Sequence, residues 1–396
     1  MSEARVNNLS NESNTGGPTI TGITTFSGTN FFVPPVGNTA QRPDNPQKGS
    51  IRFNTDSKHL EYYRGGVIGW SEIEASNEEM GGAATSGSID GKGTRLLFTG
   101  GSTPSGSPNS TFNNVDGLTV ETLGNTIDFN NLTGSYTGLG NVSDSTRAVA
   151  FLGVGPTAYP GPSVINQIQY ATFSIQNDFQ DFGDLTTTGA HGYGFGDRTR
   201  GVRAGNAIPY NGTMDYFTIQ SLGDAKDFGD LHTDKGYPST FSSTTRGIAA
   251  GGFHYPVGAY NTIEYWTISS TGNGTDFGDL SSTRYEMADG SNATRGIIAA
   301  GYGPGYTNTI EYITIATTGD ATDFGDLTSI SGTGKYGGTS PTRMIIGGGY
   351  NGPSDPFSNI IHYVQIASTG DSTDFGDFQG FGRRGHGSNS NGHGGL

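Results

Sequence analysis

The chain has no cysteine, so it carries no disulfide framework, no thiolate zinc site and no thiol nucleophile. Positive charge is scarce: 21 Lys and Arg stand against 36 Asp and Glu, a formal net charge of −15. The basic residues are dispersed except for Arg383 and Arg384, which excludes the basic stripe that nucleic-acid binding requires. No apolar run approaches the ~18 residues needed to cross a bilayer as a helix, so membrane insertion is not expected. The first residues lack the basic start and apolar core of a secretory signal; the expectation is synthesis in a cytoplasm, with any external position reached by another route. The chain has no Walker phosphate loop and no Gly-x-Ser-x-Gly elbow. The histidines at 59, 191, 232, 254, 362, 386 and 393 show no metal-ligand spacing, and His386 and His393 read as turn residues of a glycine-rich tail. No helical period of useful length appears from Ala83 onward. On these grounds no catalytic, cofactor-binding or metal-ligating residue is assigned, and no cofactor is expected.

What the chain has is repetition. Asp-Phe-Gly-Asp-Leu recurs at 181–185, 227–231, 276–280 and 323–327, with a near copy at 374–378 and a worn one at 128–132. The phenylalanines at 129, 182, 228, 277, 324 and 375 therefore recur at the period of one small sheet unit, which belongs to propellers, solenoids or arrays. Upstream of each lies a strand-like segment such as 308–315, rich in β-branched and aromatic residues and apolar on both faces. Such a strand is expected to be sandwiched between sheets. Farther upstream, Arg95, Arg147, Arg200, Arg246, Arg295 and Arg343 each lead a short apolar run. A faint fourth strand falls in segments such as 285–292. Phe and Leu three apart would lie on opposite faces of a regular pleat, so the intervening glycine predicts a bulge. The class is all-β.

Arginine, a short apolar run ending in glycines (Gly251 and Gly252; Gly347 to Gly349), then tyrosine and an aromatic resembles the kelch-type β-propeller over residues 83–396. Phe stands where that family often has Trp, and the other units are degenerate. The resemblance implies six blades, with seven as the alternative. Residues 383–395 read as a fragment of a further unit, the strand that closes the ring against the first blade.

The N-terminal part differs. Residues 1–36 are polar and rich in Thr, Ser, Gly and Asn, and read as an extended docking segment ordered on a partner. Residues 37–73 read as a small β module: Ile51 and Phe53 face Leu60 and Tyr62 across a polar turn, and a third strand passes through Trp70. Such a module is too small for an independent core, so docked or oligomeric packing is expected. Residues 74–82 read as a linker. The stretch Ala40-Gln-Arg-Pro43, Gly49-Ser-Ile-Arg-Phe-Asn-Thr55 and Leu60-Glu-Tyr-Tyr63 with Trp70 resembles a short module of bacteriophage tail fibres and other virion appendages. Its leader and the C-terminal repeats also look like those of structural proteins from cyanobacterial phages. The resemblance implies a virion structural protein made in the host cytoplasm and assembled onto the particle through residues 1–73. A tail fibre or tail-associated host adhesin comes first, and a capsid decoration or head-fibre protein second. A propeller enzyme acting on surface polysaccharide and a bacterial surface interaction protein are further alternatives. A homo-oligomer is expected by analogy with fibres.

The paired aspartates, such as Asp181 with Asp184, could ligate calcium, but their recurrence in every unit points to turn capping. Each repeated arginine is expected to pair with a repeated aspartate. The mid-strand acids Asp116, Asp215, Glu264 and Glu311, replaced by Gln169 and His362 in two units, could line one face. General acid–base work, however, needs a unique pair in distinct environments. The unequal segments 101–113, 155–163, 205–212, 253–259, 302–307 and 350–358 emerge at one end and are rich in Tyr, Pro, Gly and Asn. They form the expected contact surface for a host glycan or protein.

Overall fold

A computed structural model describes residues 34–57, 59–66, 68–72, 94–103, 110–155, 164–328, 334, 336–350, 357–380 and 382–396. The chain separates into two compact units, Met1–Ser76 and Asn77–Leu396. Most of the sequence-predicted docking segment and all of the linker at 74–82 lie outside the described residues. The chain is all-β; among the described residues the only helical piece is a 3-10 turn at Thr39–Gln41.

In the first unit, Ile51–Asn54 pairs antiparallel with His59–Tyr63 in the expected register, Ile51 opposite Tyr62 and Phe53 opposite Leu60. Trp70–Glu72 adds to one side and Val36–Gly37 to the other, the latter parallel. The burial is inverted relative to an ordinary sheet. Ile51 and Leu60 are exposed, while Arg52, Asn54 and Glu61 are buried. Glu61 accepts from both Nε and Nη2 of Arg42, at 3.2 and 2.5 Å, from Asn54 at 3.1 Å, and lies 3.5 Å from the Arg52 guanidinium. Arg42, Arg52 and Asn54 thus converge on the buried carboxylate of Glu61. These bonds hold the Glu61 carboxyl below its ordinary range.

The second unit holds six four-stranded antiparallel sheets among the described residues. Sheet 2 is representative of the order: Gly140–Ser143, Arg147–Phe151, Ile165–Thr172 and Gln180–Gly189 lie side by side in chain order. Sheets 3 to 6 begin at Tyr193–Gly196, Ser239–Ser242, Ala288–Ser291 and Tyr336–Thr339. Sheet 1 takes its first strand from the far end of the chain: Gly387–Ser390 pairs antiparallel with Arg95–Thr99. The tail therefore completes the first sheet, as the repeat fragment predicts.

The predicted bulge is present in every sheet. In sheet 4, Ile263 pairs with Gly278 and Glu264 with Asp276, which leaves Phe277 as the extra residue. Phe277 and Leu280 are both buried as a result. The glycine is required twice over. Gly278 sits at φ +150, and a Cβ there would lie 2.4 Å from the Gly319 carbonyl oxygen of the next sheet.

Hydrophobic clusters lie between neighbouring sheets rather than within one. Ile297, Ile310 and Phe324 of sheet 5, for example, pack with Met344, Ile346 and Val364 of sheet 6. Equivalent clusters join each sheet to the next, including sheet 6 to sheet 1 through Ile345, Ile361, Leu96 and Phe98. The third strand is accordingly buried on both faces, as expected.

Among the described residues the arginines of sheets 2 to 6 bond to backbone carbonyls rather than to the repeated aspartates, which corrects the sequence expectation. Arg147, Arg200, Arg246 and Arg295 each donate Nη1 to the carbonyl of Ile219, Ile268, Ile315 and Ile366, just past the third strand of the following sheet, at 2.8–3.0 Å. Arg343 reaches Glu121 of sheet 1 at 2.9 Å, and Arg95 reaches Phe173 of sheet 2, so the cycle returns on itself. Each guanidinium from sheet 2 to sheet 6 also lies over a tyrosine of its own sheet, closest for Arg295 over Tyr312 at 4.2 Å. The repeated aspartates point to solvent instead. The capping carboxylates are hairpin residues one sheet further on: Asp320 Oδ1 accepts the Asp279 N–H at 3.0 Å, and Asp371 Oδ1 that of Asp326 at 2.9 Å.

We expect Arg295→Ala to lower unfolding stability by about 2 kcal/mol in denaturant titration, from the lost charge-assisted bond and ring contact. Asp323→Ala should stay within ~0.5 kcal/mol of the parent. In the first unit, Glu61→Ala leaves two arginines without their buried partner. Limited proteolysis should then cut within residues 34–72 at least tenfold faster, while melting of the larger unit is unchanged.

Candidate binding face

The mid-strand acids, which the repeat pattern could have placed on an open face, are buried in ion pairs. Arg203 holds Asp215 at 2.6 Å, Lys235 holds Glu264 at 2.8 Å, and Arg284 and Arg383 hold Glu311 and Asp116. Glu264 and Glu311 also accept the His232 and Ser281 N–H groups, which steadies the chain as it leaves the fourth strand. Gln169 takes the Thr133 N–H in the same way where no acid is present. These residues are architectural. Among the described residues no cluster of three or more His, Asp or Glu could hold a metal.

Half-buried polar side chains gather at one end of the second unit, two residues before the first strands of three sheets. The chain there is left-handed in all six sheets: Gly138, His191, Tyr237, Glu286, Gly334 and Gly385 have φ between 53 and 71. Their backbones are bonded in succession. His191 N–H donates to Gly138, Tyr237 to His191, Glu286 to Tyr237 and Gly334 to Glu286, at 2.9–3.2 Å, and Gly138 donates to Gly385 at 2.7 Å. Three sheets use glycine, which carries no strain in this conformation; three neighbouring sheets hold His, Tyr and Glu in it at a cost of about 1 kcal/mol or more each. The same conformation is held by the buried Leu152 and Ala300, so it marks these three positions as departures from glycine without assigning them a role.

Around this trio the loops present a chain of rings. Tyr210 stacks on His254 at 5.0 Å, and Phe253 meets Tyr285 at 4.9 Å. Tyr302 links Tyr285 to Tyr306, and Tyr306 meets Tyr350, which lies against Phe357. Arg384 sits over Tyr350 and Phe357. Tyr255 and Val257, at the tip of the loop from sheet 4, are 72% and 70% exposed. Glu286 lies among the hydroxyls and, after burial itself, is the main influence raising Tyr237, and raising Tyr285 to about 12. Burial and the neighbouring Arg384 lower His191 to about 4, so the ring packed on Tyr237 is neutral near pH 7.

The loops at 205–212, 253–259 and 302–307 supply much of this surface, as the sequence indicates; much of 101–113, 155–163 and 350–358 lies outside the described residues. His191, Tyr237, Glu286 and Arg384 were missed. The signal for the first three was available: aligned on their first strands, the repeats carry glycine at that position in half the sheets and a large polar residue in the rest. His386 is not a turn residue but is fully buried, edge-on to Phe98 and Phe378. His393 does lie in a turn. No known protein-family model matches the chain, and no curated protein shows detectable sequence similarity to it.

A histidine held neutral in the fold binds fewer protons than in the unfolded chain below its ordinary pKa. Its contribution is intact above about pH 6.5 and is lost as the pH falls toward about 4. We expect His191→Gln to flatten the stability profile across that window relative to the parent, measured by denaturant midpoints at successive pH values.

Proposed function

We propose that the chain is a non-enzymatic structural protein of a bacteriophage virion, a tail fibre or tail-associated adhesin. On this reading residues 1–73 dock it to the particle, and the six sheets are the blades of a closed six-bladed, kelch-like propeller that meets the host surface through its aromatic end. The propeller reading is supported by the cyclic succession of arginine bonds and inter-sheet cores. The docking reading is supported by the tail-fibre-like phrase around Glu61 and by the apolar residues Val36, Ile51 and Leu60, which the small sheet leaves 59%, 51% and 39% exposed. Isolated small modules seldom expose their apolar side without a partner to cover it.

The observation that carries the adhesin reading is the tyrosine-lined end with its strained His191, Tyr237 and Glu286. Tyrosine rings offer flat apolar faces to sugar C–H groups, and their hydroxyls, with Glu286 and Arg384, offer hydrogen-bonding partners for sugar hydroxyls. Such rings lose little conformational entropy on binding. A surface polysaccharide of the host is therefore the partner class.

Deleting residues 1–73 should abolish incorporation into particles while the remaining unit stays soluble, judged by immunoblot of purified virions; continued incorporation would refute docking through that segment. The full chain should bind host polysaccharide in a pull-down, with affinity falling about tenfold in Tyr306→Ala. Shortened polysaccharide after incubation would overturn the non-enzymatic assignment.

A further inference from the structure

The first strands of the six sheets line a half-open cavity of about 90 Å³, with Tyr193, Thr240, Asp289, Tyr336, Ser388 and His393 among its walls. One end is covered by Tyr193 and Tyr336, which stack at 6.0 Å with their hydroxyls 3.2 Å apart. His393 of the C-terminal turn lies at the other. The space exceeds what one water molecule needs, roughly 10–15 Å³, several times over.

The serine and threonine hydroxyls of the wall have already used their protons. The hydroxyls of Ser143, Ser242, Ser291 and Thr339 donate to the carbonyls of Ser390, Gly196, Ser242 and Ser291 at 2.6–2.8 Å. Ser390 donates to Thr339, Thr240 to Gly194 and Ser388 to Gly337 in the same way. Each hydroxyl keeps only lone pairs for whatever occupies the space. The pattern skips Gly196, which has no hydroxyl to offer Ser143; His393 Nε2 supplies that bond at 2.7 Å. Its Nδ1 accepts the Gly395 N–H at 3.1 Å, which fixes a neutral tautomer.

Into this donor-poor wall projects one carboxylate. Asp289 Oδ2 accepts the Thr240 N–H at 3.1 Å. No Lys or Arg lines the cavity, and among the described residues Asp289 forms no ion pair. The equivalent residues are Asn141, Gly194, Thr240, Gly337 and Ser388, so the charge is single and specific to sheet 5. Burial raises the Asp289 carboxyl to about 8, so near neutral pH it stays ionised only beside a positive partner. All-oxygen surroundings suit a hard ion, and one negative charge balances one positive charge.

We infer that this axial cavity binds a single monovalent metal cation, held by the Asp289 carboxylate and completed by water and by the hydroxyl oxygens of Thr240, Ser388 and the tyrosine pair. The inference concerns the interior of the second unit and is independent of any role on a virion.

The test uses the full chain with Rb⁺ as probe, and choline as a cation too large for the cavity. Crystals grown in rubidium chloride should show an anomalous peak beside Asp289, and melting should be about 5 °C higher in rubidium chloride than in choline chloride at equal ionic strength. Asp289→Asn should lose both the peak and the salt difference. A cavity holding only water in the parent protein, or melting indifferent to the cation, would overturn the inference even if the variant failed to fold. A peak that persists in Asp289→Asn would overturn the role of the carboxylate.

Discussion

Each sheet of the larger unit is fastened to the next by an arginine at the head of its second strand, whose guanidinium donates to a carbonyl of the following sheet and, in sheets 2 to 6, stacks on a tyrosine of its own. The tyrosine fixes the guanidinium plane, and the plane aims the N–H at the neighbour. Because sheet 6 makes this bond to sheet 1, no sheet has an unfastened side. The interleaved hydrophobic clusters, the bulge glycines against the next hairpin and the Asx caps all act across the same boundaries. A sheet taken alone would leave its arginine, its third-strand face and its bulge without partners.

This dependence explains what could be read from sequence. A strand apolar on both faces, such as Thr309–Thr314, announces neighbours on each side. The glycine between Phe277 and Leu280 announces a bulge, because no regular pleat buries both. Partner choice was not legible. Arg295 and Asp323 recur together and carry opposite charges, yet the guanidinium is satisfied by a carbonyl of another sheet. Backbone acceptors leave no mark in a sequence. In the first unit the pairing of Ile51 and Phe53 with Leu60 and Tyr62 was legible, but not that two arginines and an asparagine converge on Glu61 and bury the opposite face.

The candidate face follows from departures within the repetition. Where every sheet needs a left-handed residue, glycine is the unstrained choice, and Gly138, Gly334 and Gly385 take it. His191, Tyr237 and Glu286 do not, and they stand side by side at the centre of the tyrosine-rich loops. Asp289 departs from its equivalents in the same sense, as the one carboxylate among the residues that line the axial cavity. Identical units thus build the scaffold, and the individual exceptions carry its chemistry. This division is consistent with a rigid module that presents a binding surface.

Cyclic closure is the claim on which the account stands, and it can be tested by removing residues 387–396, the strand and turn that complete sheet 1. Hydrogen exchange should then be followed in Thr262–Thr267 of sheet 4, far along the cycle from the deletion. If the fastening is cyclic and cooperative, protection there should fall at least a hundredfold along with that of sheet 1. Loss of protection confined to residues 95–131, with sheet 4 exchanging as in the intact chain, would contradict it.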